Sequence, residues 1–384
     1  MARLFARFHA LSILLVALFH IHTLPSFDAM DTISVNQVLC GDDKLISSNR
    51  RFALGFFHAG SQSYNTTKNW YLGIWFNEVP NLIPVWVVNR ESPITNPTVA
   101  ELKVNLDGRP VILDKVTRSK IWSSQAGPKA ASNYTIAVLM NNGNLVLRDA
   151  SSNMSSVLWQ SFDYPIDALL PGAKIGRNKV SVLMNMVDFA PGHYCSELDP
   201  TGAPQFIQKL CNSSIVYSST RAWNGKYFSS RPSMSGELQG RSFLNYSFID
   251  NDKQVYFMYT LRYDRLIIFN LLVSSGQTKQ MIWIEESQDW LAVGNEPKAE
   301  CDVYAVCGPF TICIENMFPP CICMKGFSVA SAKDCQSNQS NTTSLSRPVS
   351  TNKTVQHIYA PGNVSHIHDK LLNTTTHAKD KNVA

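Results

Sequence analysis

The stretch "NNGNLVLRDASSNMSSVLWQSF" (residues 141–162) begins with an Asn/Gly turn and runs through Leu145, Val146 and Leu147. It then crosses a Ser/Asn-rich loop and reaches Trp159. Two short apolar runs around a turn and a polar loop are typical of a strand pair. Nothing in the stretch resembles a catalytic motif. The stretch therefore predicts a β-fold, and its importance depends on whether the pattern recurs.

The same order of strand, polar loop and tryptophan-bearing strand recurs twice upstream. It is present in "DGRPVILDKVTRSKIWSS" (107–124) and in "YLGIWFNEVPNLIPVWVVN" (71–89). The closing tryptophans, Trp86, Trp122 and Trp159, are separated by 36 and 37 residues. A period in this range indicates a repeat architecture. Coincidence among eight tryptophans is the alternative. We favour three units around one axis, which would bring the three indoles into one core.

The N-terminus has the pattern of a secretory signal peptide. Arg3 and Arg7 precede an apolar run from Leu11 to Leu18, and the small residue Ala29 follows a polar break. A membrane anchor is the alternative, but the run is shorter than the ~20 apolar residues of a spanning helix. We therefore expect residues 1–29 to be a cleaved leader. The product would be secreted, or held at the cell surface if the natural protein continues into a membrane helix.

Sequons for N-glycosylation agree with a secretory route. We expect glycans at Asn65, Asn133, Asn153, Asn212, Asn245, Asn338, Asn341, Asn352, Asn363 and Asn373.

The cysteines indicate a small disulfide-stapled module near the C-terminus. Six of the nine cysteines fall within residues 301–335. In an oxidising compartment this density favours disulfides over a zinc site around Cys321 and Cys323, so no metal is expected. Spacing alone leaves 15 pairings open for six cysteines. Cys195 and Cys211 could pair locally, which would leave Cys40 as the odd thiol.

Composition and motifs argue against several functions. A chain of 384 residues with 45% apolar content favours two or three domains. The net charge of +5 comes without a basic stripe that carries interleaved aromatics, so nucleic acid is not an expected partner. The sequence contains no G-x-S-x-G, H-E-x-x-H, P-loop, H-R-D or D-F-G motif. We expect neither enzyme activity nor a cofactor.

The ordered landmarks of the chain resemble the bulb-type (mannose-binding monocot) lectin domain of plant S-domain receptor-like kinases and S-locus glycoproteins. These landmarks are "DTIS", "RFALGFF", "NWYLGIWF", "VWVVNRESPI", "NGNLVL" and "LWQSFDYPIDALLPGAKIG". "AWNGKYF" (222–228) and "GQTKQMIWIEESQDW" (276–290) resemble the S-locus glycoprotein region. "CDVYAVCGPFTICIENMFPPCICMKGF" (301–327) resembles the EGF-like module of these receptors. The resemblance covers residues 31 to about 328.

The resemblance implies a mainly β fold in successive domains. It places a pseudo-threefold bulb-lectin β-prism at 30–165, a second lectin-like β domain (the S-locus region) at 166–296 and a disulfide-stapled EGF-like module at 297–335. The chain would then be an ectodomain truncated before the PAN, transmembrane and kinase regions of the family. Residues 336–384 are rich in Ser, Thr and Asn, and we expect a disordered tail there.

The resemblance also implies disulfide pairs within the small module, namely Cys301–Cys313, Cys307–Cys321 and Cys323–Cys335. In the family the sixth cysteine lies further along the chain, usually after a Gly-Gly pair. Either Cys335 substitutes for it, or Cys323 lacks its usual partner.

Bulb lectins bind mannose through the motif Q-x-D-x-N-x-V-x-Y, whose alternate side chains face one side of a strand. In the third repeat this frame keeps Val146 and the central Asn144, with Asn142 at the Asp position. In the second repeat only Asp107 and Val111 match, and no third copy is evident. Each missing hydrogen bond weakens a monosaccharide contact by ~1 kcal/mol. These five residues are the candidate carbohydrate-binding set, in a repeat that we expect to serve mainly as scaffold.

The resulting expectation is a non-catalytic extracellular recognition module. By resemblance it would act in cell-surface or self/non-self recognition, such as pollen recognition or immunity. Expected partners are an extracellular protein, peptide or glycan ligand, membrane-bound S-domain receptor kinases, or a second copy in a homodimer. The alternatives are an active mannose-type lectin and the ligand-sensing fragment of a membrane serine/threonine receptor kinase.

Overall fold

The structure is a computed structural model, and the described part of the chain is almost entirely β. It comprises residues 30–58, 69–80, 82–105, 108–124, 132, 134–151, 157–164, 168–176, 180–184, 191–231, 243–252, 254–263, 266–273, 275–307, 311–317, 320–324, 327–328 and 347–348. Short 3-10 turns lie at Pro97–Val99, Ser161–Asp163 and Glu300–Asp302.

Twelve antiparallel strands form three four-stranded sheets in the first β unit. Sheet one consists of β3 (Lys44–Ile46), β4 (Phe52–His58), β5 (Trp70–Phe76) and β6 (Pro84–Val87). Sheet two consists of β2 (Val38–Cys40), β7 (Ala100–Val104), β8 (Pro110–Asp114) and β9 (Lys120–Ser123). Sheet three consists of β1 (Thr32–Ser34), β10 (Thr135–Leu139), β11 (Leu145–Asp149) and β12 (Val157–Gln160).

The first three strands act as a strap that closes this unit. They follow one another along the chain, yet each adds an edge strand to a different sheet, β1 to the last, β2 to the middle and β3 to the first. The three sheets therefore cannot separate without breaking pairs made by one short segment. This arrangement is the pseudo-threefold β-prism that the sequence predicted.

The three repeat tryptophans occupy the same position in the three sheets. Trp86 pairs with Ile74, Trp122 with Ile112 and Trp159 with Leu147, and in each sheet the register shifts at the next residue. The Trp86 ring lies 6.2 Å from Trp122 and 6.0 Å from Trp159, edge to face in both cases. Such aromatic pairs contribute ~0.5–1.5 kcal/mol beyond their buried area. The indoles thus meet at the centre of the prism.

Eleven further strands form a second unit with the same plan. Sheet four consists of β15 (Val180–Met184), β16 (Pro191–Leu198), β17 (Phe206–Leu210) and β18 (Val216–Ser219). Sheet five consists of β13 (Ala168–Leu169), β21 (Ile268–Leu272), β22 (Thr278–Ile284) and β23 (Asp289–Glu296). Sheet six consists of β14 (Ile175–Gly176), β19 (Leu244–Asn251) and β20 (Gln254–Leu261).

A second strap closes this unit. Strands β13, β14 and β15 again pair with the last, middle and first sheets in that order. The repeated topology supports the prediction of a second lectin-like domain. The expected boundary between residues 165 and 166 falls outside the described residues, and the domain limits stay a prediction.

Sheet five joins the two prisms because both of its faces are covered. Phe269 and Trp283 belong to the same buried cluster as the core of the first prism, whereas Ile268 and Ile282 pack in the core of the second. The Phe76 ring of β5 lies 5.3 Å from the Phe269 ring. The apolar core of the first prism therefore extends onto one face of sheet five, and the other face packs in the separate core of the second prism.

The C-terminal module is held by disulfides around a short hairpin of β24 (Thr311–Cys313) and β25 (Cys321–Cys323). The structure contains the bonds Cys301–Cys313 and Cys307–Cys321, and Cys195–Cys211 in the second prism. Among the described cysteines, Cys40 and Cys323 have no disulfide partner. Since Cys335 lies outside the described residues, its expected pairing stays a prediction.

The expected disordered tail stays a prediction, because nearly all of it lies outside the described residues. Within 336–384 the structure describes only β27 (Arg347–Pro348), which pairs with β26 (Phe327–Ser328). A run of polar residues can add an edge strand through backbone hydrogen bonds alone, which composition does not reveal. The expected leader 1–29 lies outside the described residues.

Two of the ten sequon asparagines, Asn212 and Asn245, are described, and both are exposed. The other eight lie outside the described residues, and glycosylation stays a prediction.

Replacing Trp86 with alanine should lower the free energy of unfolding of the first prism by about 3–5 kcal/mol, because it removes the indole that contacts both others. Thermal unfolding followed by circular dichroism would measure the change. Val116→Ala is the control, since Val116 is 77% exposed. Equal shifts for the two variants would contradict a central role for the indoles.

Alkaline pH should weaken the joint between the second prism and the small module. The Tyr194 hydroxyl donates to the carbonyl oxygen of Tyr304 (3.1 Å), and the neighbouring Tyr217 donates to that of Gly276 (2.7 Å). Burial raises the pKa of Tyr194 to about 12 and raises the pKa of Tyr217 as well. Since an unfolded tyrosine has a pKa of about 10, this stabilisation is complete below that pH. It is lost as the pH rises towards about 12.

Ultraviolet titration of tyrosinate on the folded chain would test this pH dependence. Tyr194→Phe should remove one late-titrating group. If every tyrosine in the folded chain titrated near the pKa of about 10 of an unfolded tyrosine, the prediction would be contradicted.

Candidate functional site

The register of the three sheets locates the sugar-binding frame of each repeat. Because Leu147, Ile112 and Ile74 occupy equivalent positions opposite the tryptophans, Val146 corresponds to Val111 and to Gly73. The frame of the first repeat therefore lies at Asn69, just before β5, and at Tyr71, Gly73 and Trp75 on β5. The sequence missed this copy because none of its residues matches the motif. The 36-residue spacing of the tryptophans was the signal that could have found it.

In the third frame, Asn144 is buried and its side chain is engaged within the protein. Its Oδ1 accepts hydrogen bonds from the Ser161 hydroxyl and the Phe162 N–H, both at 3.1 Å. Its Nδ2 donates to Gln160 Oε1 at 2.9 Å. An asparagine amide has two acceptor sites and two donor hydrogens. Only one N–H of Asn144 is therefore left for a sugar.

The other two residues of this frame differ in exposure. Asn142 is exposed, and its Oδ1 accepts from the Asn144 N–H at 3.1 Å, which closes the Asn/Gly turn. Val146 is 8% exposed and lies between Val138 and Gln160 on the neighbouring strands. Asn142 and Asn144 thus lie in the turn that leads into β11, Val146 lies on β11, and of the three only Asn142 is exposed.

The second frame is partly outside the described residues. Val111 is 2% exposed and pairs with Lys103 and Ser123. Asp107 lies outside the described residues, so its role in sugar binding stays a prediction.

In the first frame, large apolar side chains fill the outer face of the sheet. Tyr71 and Trp75 form a buried cluster with Phe57, Ala53 and Val87, separate from the central core. The Phe57 ring lies 6.3 Å from Tyr71 and 5.7 Å from Trp75. Such a face buries apolar area but offers few hydrogen-bonding groups to a sugar.

The geometry therefore fits a scaffold better than a threefold mannose site. One frame is apolar, and in another the central amide is used internally. Within the described residues no group of three His, Cys, Asp or Glu side chains is placed to hold a metal ion. The same residues include no helix of the length and apolarity needed to cross a membrane.

Two family models match parts of the chain. The D-mannose binding lectin model matches residues 83–187, and the S-locus glycoprotein domain model matches residues 218–331.

Curated plant proteins are similar over most of the chain. The S-locus-specific glycoprotein S6 of Brassica oleracea is 32% identical over 83% of this chain and 72% of its own length. The G-type lectin S-receptor-like serine/threonine-protein kinase At2g19130 of Arabidopsis thaliana is 34% identical over 80% of this chain. The chain spans 36% of that kinase's length.

Solved lectin structures are also similar to part of the chain. A monomeric monocot mannose-binding lectin from Gastrodia elata is 19% identical, with a TM-score of 0.24, over 34% of this chain and 93% of the lectin. The mannose-specific agglutinin of snowdrop (Galanthus nivalis) bulbs is 14% identical, with a TM-score of 0.23, over 33% of this chain and 94% of the agglutinin.

The match to S-locus glycoprotein S6 extends over both prisms and covers more than two thirds of that protein. The chain thus belongs to the family of S-locus glycoproteins and the ectodomains of G-type lectin S-receptor-like kinases.

Proposed function

We propose that this chain is a non-catalytic extracellular recognition module that does not bind mannose in the manner of a bulb lectin. The observation that carries the proposal is the internal use of the Asn144 amide, which the family's sugar motif would need for ligand hydroxyls. The fold of a lectin is retained while the sugar-binding side chains are replaced or engaged. Recognition of a protein, a peptide or another small ligand is the function that such a scaffold supports best.

The biological setting of the proposal comes from the relatives. Several are named as receptor-like serine/threonine-protein kinases, and one as an S-locus-specific glycoprotein. We infer that this chain is secreted or displayed outside the cell and acts in self/non-self recognition or immunity. As the sensing part of a receptor kinase it would bind the ligand and leave catalysis to a kinase domain. Membrane-bound relatives and a second copy of the chain are the proposed protein partners.

Chromatography on immobilised mannose tests the proposal directly. We expect the purified chain to pass through, while a mannose-binding bulb lectin run as positive control is retained. Specific retention, reversed by free mannose, would instead favour the active lectin.

Asn144→Ala distinguishes a scaffold residue from a sugar ligand. The variant leaves Gln160 Oε1, the Ser161 hydroxyl and the Phe162 N–H without their partner, so we expect a loss of about 1–3 kcal/mol in the free energy of unfolding. Asn142→Ala is the control, with an expected loss of below ~1 kcal/mol because that side chain is exposed. If Asn144→Ala abolished mannose retention without changing thermal stability, Asn144 would be a sugar ligand.

A further inference from the structure

The second prism has small residues at positions where the first has indoles. In the first prism the tryptophan pairs with the last residue before the register shift, as Trp159 does with Leu147. At the equivalent points Ser218 pairs with Gln208 in sheet four, and Gly294 pairs with Gln280 in sheet five. At two of the central positions, the second prism thus has a serine and a glycine where the first prism has an indole.

A cavity of about 500 Å³ lies in the second prism beside these positions. Phe206, Phe228 and Phe257 give it an aromatic wall, and amide side chains, including Gln208 and Gln280, give it a polar one. It opens at β23, where Val293, Gly294 and Asn295 are exposed. Sites for small molecules combine this range of volume, an apolar lining and a few polar groups.

Within the described part of the chain, Gln208 has a buried acceptor atom without a hydrogen-bond partner, which is evidence for a ligand site. The residue is 2% exposed, and its Nε2 donates to Thr278 Oγ1 and to the Glu296 carbonyl oxygen, both at 3.0 Å. A carbonyl oxygen accepts but cannot donate, so it fixes the orientation of the amide. Gln208 Oε1 is then left without a partner among the described residues. Buried acceptors without a partner are rare, and Gln208 is one of the residues that line the cavity.

The buried charge of the cavity is already balanced. Glu296 accepts from the Ser218 hydroxyl at 3.0 Å and from Arg231 Nε at 3.2 Å. The remaining cation of the lining, Lys298, is exposed at the opening. A charged ligand would lose its hydration without gaining an unmatched buried counter-ion.

We propose that this cavity binds a small uncharged molecule that carries hydroxyl groups on or beside a ring. A ligand hydroxyl donates to Gln208 Oε1, and the ring packs against the phenylalanine wall. The site is distinct from the three sugar frames of the first prism. The cavity proposal rests on the proposed function, because it gives the place where such a recognition module would bind a small ligand.

Isothermal titration calorimetry with 4-nitrophenyl β-D-glucopyranoside tests the cavity on the full chain. This probe is uncharged, hydroxylated and aromatic, and we expect saturable binding with a Kd on the order of 1 mM or tighter. Gly294→Trp should weaken binding at least tenfold, because a Cβ added at the cavity-lining Gly294 meets no atom within 4 Å and Gly294 pairs with Gln280, which also lines the cavity. Ser287→Trp, which adds an indole at an exposed turn, is the matched control and should bind as the original chain does.

Two further measurements test the chemistry of the site. Gln208→Met keeps the side-chain length but removes the Oε1 acceptor together with the two hydrogen bonds donated by Nε2. It should weaken binding about tenfold while thermal unfolding shows a folded chain. 4-Nitrobenzoate, which keeps the ring but carries a charge, should bind at least tenfold more weakly than the glucoside.

Absence of saturable glucoside binding, equal binding by Gly294→Trp and the original chain, or equal binding of 4-nitrobenzoate would overturn the proposal. If the glucoside does not bind and the chain also passes through the mannose column, the cavity proposal is rejected and the proposed function stands. Mannose retention that Asn144→Ala abolishes would reject the proposed function but leave the cavity result standing.

Discussion

The edge-to-face contact of Trp86 with Trp122 and Trp159 is the interaction on which the first prism depends. Three sheets can share one axis only if their inner faces fill the space between them, and a large aromatic from each sheet does so. The register shift next to each tryptophan turns the strand at the same point in every sheet. Bulges of this kind bend a strand and increase its twist. The sequence repeats because each of the three sheets must supply a tryptophan at the same central packing position.

The same requirement explains the difference between the two prisms. The strand plan and the strap are repeated, but at two of the central positions the second prism has Ser218 and Gly294. Without the indoles, the inner faces of sheets four and five present Gln208 and Gln280 to a cavity. An interior that is packed in one unit is therefore open in the other, although the backbone topology is shared.

The sequence predicted the fold well because its signals are local and repeated. The tryptophan spacing and the turn residues identified the prism, and the cysteine cluster identified the small module. Side-chain roles were harder to predict. Asn144 fits the sugar motif, yet its amide is taken by Gln160 and Ser161, and that depends on how β12 lies beside β11. The frame at Tyr71 and Trp75 does not match the sugar motif, and it is located by the strand register together with the tryptophan spacing. Gln208 Oε1 has no partner among the described residues because the distant Glu296 carbonyl fixes the orientation of the amide, which no local pattern encodes.

The strap of the first prism has a consequence for biosynthesis. Strand β1 pairs with β10, so residues 32–34 find their partners only when residues 136–138 have been synthesised. Until then the growing chain carries short edge strands with open hydrogen-bonding groups, which are prone to pair with other chains. Contacts so distant along the chain also slow folding, because the loop must close before the pairing is gained. The first prism therefore cannot complete its sheets until β10 has been synthesised, and until then β1 has no partner on the growing chain.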